Sequence, residues 1–150
     1  MSIHRSLRRL TLTSIVFAVG GCATAPSTPT AAPAPASFAD QVAMGQTLYA
    51  ASCASCHGAS GQGDKAPRLV GLKDGALPLD PPADRKLRKS QFVTVADVAT
   101  FAVATMPPKK AGTLTADQYW AILAFDLHAN GVDLPAVLTP TLAPTLTIPR

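Results

Sequence analysis

The chain has 150 residues, enough for one domain with extensions, and is rich in Pro (14) and in Ala. Its formal charge of +4 suggests an acidic partner, but Arg5, Arg8 and Arg9 lie in the first nine positions. Without them ten basic residues face nine acidic ones, all Asp, so the composition gives no support to nucleic-acid binding.

Met1 to Gly21 has the layout of an export signal: a basic stretch, an apolar run from Leu10 to Val19, then small residues before Cys22. That run is about half the roughly twenty residues a spanning helix needs. Val19-Gly20-Gly21-Cys22 resembles a bacterial lipobox, with Val where Leu is commonest, and predicts lipidation of Cys22. The competing reading is cleavage after Ala23-Thr24-Ala25, which Pro26 disfavours. Several acyl chains would anchor the protein stably to a membrane. Ala23, rather than Asp, after the Cys leans toward the outer membrane over the inner, on the periplasmic side.

Residues 22–36 form a linker of Ala, Pro, Thr and Ser beyond the Cys. Extended at about 3.1 Å per residue, it would reach on the order of 40 Å. The domain then spans residues 37–131. Ser37 is a plausible N-cap, and Val42, Gly45, Leu48, Tyr49 and Ser52 fall on or beside one helical face leading to Cys53. Residues from Leu72 to Ser90 read as loop, broken by Gly75, Pro78, Pro81 and Pro82. A second helix is expected from Thr94 to Thr105, with Asp97 in its first turn. A third starts at the capping box Thr115–Gln118, with Leu114 and Tyr119 at staple spacing, and stops at Asn130-Gly131. Its apolar stripe is Trp120, Leu123, Ala124 and Leu127. Residues 132–150 form a Pro/Thr-rich tail that either wraps the domain or is disordered. No strand pattern competes, so the fold class is all-α.

Cys53-Ala54-Ser55-Cys56-His57 is the decisive motif. Two thiols at this spacing can add to the two vinyl groups of one haem, and the adjacent His can reach the iron from the same side. A redox dithiol would need a βαβ context and a zinc site a second ligand pair; both are absent from the sequence pattern. Cys22 belongs to the leader, so no thiol is left for a disulfide.

From Phe38 to Gly131 the chain resembles the small class I monohaem cytochromes c of bacteria. The resemblance rests on Gly45 to Ala50 running into Cys53–His57, on Gly58 to Asp64, on Ala66-Pro67-Arg68-Leu69, on Met106-Pro107, and on the helix Tyr119 to Leu127. It implies a cytochrome c fold wrapped around one covalent haem c, with first and last helices crossing near Gly45 and an aromatic from the Tyr119-Trp120 pair filling the gap.

It further implies that Met106 is the sixth iron ligand, that the Pro67 carbonyl holds the His57 ring, and that Leu69 packs on the haem. Met44 is poorly placed for the opposite face, His128 sits at the edge of a helix, and Lys109 and Lys110 would bind iron only where deprotonated. Pro67 also reads as an ordinary turn proline, and a lone Met as core filler. Arg85, Lys86, Arg88 and Lys89 form a cluster that either steers an acidic partner or is a solvated loop.

Iron with both axial positions filled has no open site for substrate, and Met/His ligation suits a high-potential carrier. The expected function is single-electron transfer and not enzymatic turnover. The expected protein partners are a donor dehydrogenase or quinol-oxidising complex and an acceptor oxidase or reductase. Two alternatives stay open: a cytochrome subunit of a larger oxidoreductase, and a haem sensor or enzyme with a labile sixth ligand.

Overall fold

The computed structural model describes residues 33–72, 79–81, 83 and 88–149. The leader, Cys22 and nearly all of the linker lie outside the described residues, as do Gly75, Pro78, Pro82, Arg85 and Lys86. Four helices form the described unit: α1 (Phe38–Ser52), α2 (Ala54–His57), α3 (Val95–Thr105) and α4 (Ala116–Ala129). A 3-10 turn, Ala143–Thr145, follows in the tail, and a lone antiparallel bridge joins Thr94 to Thr147. Among the described residues the fold is all-α, as expected.

Each long helix starts where its capping chemistry lies. The Ser37 hydroxyl accepts from the Asp40 N–H at 3.1 Å, and the Thr115 hydroxyl accepts from Gln118 N–H at 3.3 Å while Gln118 Oε1 accepts from Thr115 N–H at 2.8 Å. At α3 the Asp97 carboxylate accepts from both Val93 and Thr94 N–H, at 2.9 and 2.7 Å. Those bonds, with that of the Thr94 hydroxyl, hold Asp97 below the usual carboxylate range against a smaller opposing effect of burial.

The helices α1 and α4 cross in backbone contact at Gly45. A Cβ there would stand 1.8 Å from the Ala121 carbonyl oxygen and 2.5 Å from its carbon. Ala121 itself is fully buried. The aromatic beside the crossing is Phe125, whose Cβ lies 3.0 Å from that position and whose ring meets that of Tyr49 at a tilt of 46°, centroids 5.0 Å apart. This corrects the expectation of a gap filled by Tyr119 or Trp120: one helical turn toward the N-terminus, Tyr119 turns its hydroxyl to the Met106 carbonyl, and Trp120 packs on the core edge. Residue 125 is four positions on from residue 121, so it shares that face.

The tail wraps the domain. Leu138, Ala143 and Ile148 are buried in the same core cluster as Phe38, Phe92, Val95, Val98, Leu123 and Leu127. Gln41, buried on α1, binds the tail backbone twice: Gln41 Nε2 donates to the Leu138 carbonyl at 3.0 Å, and Leu138 N–H donates to Gln41 Oε1 at 2.8 Å. A polar side chain facing the core is thereby fully satisfied. The boundary drawn at residue 131 from composition therefore cuts through a continuous core.

Arg88 is no part of an exposed basic patch. It is buried, its guanidinium donates to the carbonyls of Leu79, Asp80 and Ser90, and it lies 3.8 Å above the Phe92 ring. Lys89 alone of the described members of that cluster is exposed.

Gly45→Ala tests the crossing. Ala is the better helix former by about 1 kcal/mol, which would stabilise an open helix face. Overpacking costs about 1–3 kcal/mol or more, and backbone on the far side cannot rotate away as a side chain does. A lower denaturation midpoint is expected; an unchanged or raised midpoint would show that the helices have room.

Candidate functional site

The α1 helix ends at Ser52, and Cys53 bridges it to the single turn α2. The turn places Cys53 and Cys56 three residues apart, both thiols free and half-buried, with His57 buried behind them. Gly58 then leaves the helix at φ +87°, a conformation that a side chain disfavours. Its carbonyl accepts from the buried Tyr49 hydroxyl at 2.9 Å, which ties the exit of α2 to α1.

Beyond Gly58 the chain folds back on the end of α2. Gly63 N–H donates to the His57 carbonyl at 2.7 Å, and Ala66 N–H to the Cys56 carbonyl at 2.9 Å. These two bonds satisfy carbonyls that a helix end leaves open. They also carry Pro67 to His57, whose Nδ1 lies 2.7 Å from the Pro67 carbonyl oxygen. A carbonyl only accepts, so His57 holds its proton on Nδ1 and keeps the Nε2 lone pair for a metal.

Leu69 is half-buried against the core cluster, its N–H bonded to Gly61 at 2.8 Å. The next residues are held by Asn130, whose importance beyond stopping α4 the sequence did not show. Asn130 Oδ1 accepts from Gly71 and Leu72 N–H at 2.8 and 3.2 Å, and its Nδ2 donates to the Leu69 and Asp126 carbonyls at 2.9 and 2.8 Å. An Asn after a helix reads locally as a cap; its reach to a loop some sixty residues away carries no sequence signal.

Met106 is half-buried as the C-cap of α3. Its carbonyl accepts from Tyr119 Oη at 2.6 Å, and the same hydroxyl accepts from Gly112 N–H at 3.0 Å. One phenol of α4 thus pins both ends of the loop from Met106 to Gly112. His128 is exposed and pairs with Asp133 at 2.6 Å. Met44 is half-buried along α1.

The electrostatics centre on Asp126, which sequence reading overlooked because it looks like an ordinary polar position between apolar ones. It is buried on α4, and its Oδ1 has no hydrogen-bond partner. Burial pushes its carboxyl up to about 8. Burial, then Asp126 and Cys56, push the Cys53 thiol up to about 11. Tyr49 is pushed up to about 12 by burial, then by Asp126 and Cys53, against a smaller opposing hydrogen bond.

Redox-active and nucleophilic cysteines sit where their thiolates are stabilised, with lowered pKa values. Cys53 is the reverse, which disfavours a reactive dithiol. A thioether bears no charge and suits such surroundings. Two unpaired thiols on one turn and a His with its metal-binding nitrogen free are together the donor set that a covalently attached haem requires, so these residues fit that group.

A family model described as cytochrome c oxidase, cbb3-type, subunit III matches residues 40–125. Among solved structures, the sulfane dehydrogenase SoxCD from Paracoccus pantotrophus is similar, with 32% sequence identity and a TM-score of 0.51. The match covers 72% of this chain and 53% of that one, so the chain spans about half the length of its solved relative. Comparison with curated proteins gives no match.

Asp126 makes stability depend on pH in a defined sense. Its folded pKa is raised from 3.8 to about 8, so the neutral acid is the form that folding favours. Its contribution is fully present below about pH 4 and is lost progressively as pH rises toward 8. Denaturant midpoints of the wild type should decline across that window relative to those of Asp126→Asn. Parallel profiles would show that the carboxyl is not desolvated as the fold implies.

Proposed function

The chain belongs to the family described as cytochrome c oxidase, cbb3-type, subunit III, and from that premise we propose a single-electron carrier with one haem c bound covalently through Cys53 and Cys56. The domain is a class I c-type cytochrome and an electron-transfer protein, with redox proteins as its partners. When bound, haem c supplies a one-electron iron couple.

In this reading the chain's own residues hold and orient. His57 is the proximal ligand through Nε2. The 2.7 Å contact of its Nδ1 with the Pro67 carbonyl is the observation that carries the reading, since it fixes the ring and raises its basicity. Met106 is the distal ligand, presented by a loop that Tyr119 holds at both ends. Leu69 belongs to the apolar wall that keeps water from the iron.

Cys22 carries a lipid anchor, and the linker lets the domain range from a periplasmic membrane surface, outer rather than inner. Electrons then pass from a dehydrogenase or quinol-oxidising complex to a terminal acceptor. The likeness to a chain of a sulfane dehydrogenase favours a second reading, in which the domain is the cytochrome subunit of a larger oxidoreductase. Co-purification from solubilised membranes separates the two: a stoichiometric partner enzyme supports the subunit, a free monomer the shuttle.

Mass and optical spectra of the mature protein test the site. One added haem and an acylated Cys22 are expected, with a weak long-wavelength Met–iron band in the oxidised form and no binding of carbon monoxide on reduction. Met106→Ala should lose the band, bind carbon monoxide and shift to a lower potential. A wild type that binds carbon monoxide readily would remove Met106 as ligand, and a free Pro26 terminus would remove the anchor.

A further inference from the structure

Asp126 has no role in holding the haem as read above, yet it is enclosed beside the attachment point. A buried carboxylate whose Oδ1 has no partner is costly to ionise, and no cation among the described residues offsets its burial. The titratable groups facing it are Tyr49 on α1 and Cys53, the residue that joins α1 to α2. Tyr49 is committed to the Gly58 carbonyl, and Cys53 is the point at which the haem edge joins the chain.

The other charged groups on the surrounding elements are engaged elsewhere or exposed. Asp40 bonds Ser37 at the start of α1, and Asp97 caps α3. Asp117 is exposed in the first turn of α4, and His128 pairs with Asp133 at that helix's far end. His57 directs Nδ1 to Pro67. On the loop after it Asp64 is exposed, Lys65 reaches the Ser55 carbonyl, and Arg68 has partners of its own.

We propose that Asp126 is a proton-binding site linked to the haem, taking a proton from water when the iron takes an electron and releasing it on reoxidation. The proposal rests on reading Cys53, Cys56 and His57 as the haem site. In each cycle a redox protein donor supplies one electron, which reduces Fe(III) to Fe(II). Water supplies one proton, which converts the Asp126 carboxylate to the carboxylic acid. An acceptor protein removes the electron, and the proton returns to water.

The physical cause is charge. The oxidised centre carries one more positive charge than the reduced one, and in a site shielded from water that charge favours the carboxylate. Reduction removes the attraction and leaves burial unopposed, which favours the acid. Burial alone already brings the group close to neutral pH. The haem thereby becomes a carrier of an electron together with a proton over part of the pH range.

Redox titration of the haem-loaded protein between about pH 5 and 9 is the test. Where the two states differ in protonation, the equilibrium constant for reduction should fall up to tenfold per pH unit, equal to about 59 mV for one electron. Asp126→Asn should flatten the profile. A flat wild-type profile overturns the proposal, and so does a slope that survives in Asp126→Asn, which would assign it to the haem propionates.

Should that variant fail to fold, the redox-difference infrared spectrum of the wild type in water and heavy water decides. A carboxylic acid band that grows on reduction and shifts in heavy water supports Asp126, and its absence overturns the proposal. A chain with no covalent haem and no reversible one-electron wave would overturn the underlying site reading as well. An intact wave that is insensitive to pH would overturn the proton coupling alone.

Discussion

The architecture depends on one contact without clearance, the meeting of α1 and α4 at Gly45 and Ala121. With a carbonyl oxygen 1.8 Å from where a Cβ would stand, the helices approach as near as backbones can. That distance sets the depth at which α4 lies against the second half of α1. It sets the Phe125 ring against that of Tyr49 and lodges Asp126 beside Tyr49 and Cys53. A wider crossing would admit water to all three.

From that crossing α4 works in both directions. Near its N-terminus Tyr119 grips the loop after α3 at Met106 and Gly112. Just past its C-terminus, Asn130 grips the loop after α2 at Leu69, Gly71 and Leu72. One helix therefore sets the positions of two loops that are remote from each other in sequence. The hydrogen bonds run through backbone groups of those loops, so the loops are fixed in place whatever side chains they present. The shape of the site is in this sense a property of α4, although its motif residues lie elsewhere.

The sequence was informative where the chemistry is local. Caps at Ser37, Asp97 and Thr115 announce three helices because a capping side chain acts within about one turn of itself. The haem motif is legible for the same reason, since its donors are adjacent. Gly45 signalled a close approach, but which aromatic stands there depends on helical phase, and Phe125 rather than Tyr119 holds the correct angle. Asp126 and Asn130 gave no signal because their meaning comes from partners across the fold. Composition left the tail open between wrapping and disorder, and Leu138, Ala143 and Ile148, spaced among its Pro and Thr, reach the core.

The Gln41–Leu138 pair has a consequence for the order of assembly. It joins the beginning of α1 to the far end of the chain, and core residues continue as far as Ile148. In a chain made from its N-terminus, Cys53, Cys56 and His57 precede the segment that completes the core. The tail segment therefore acts as a latch, holding the start of α1 in a core that residues beyond α4 complete.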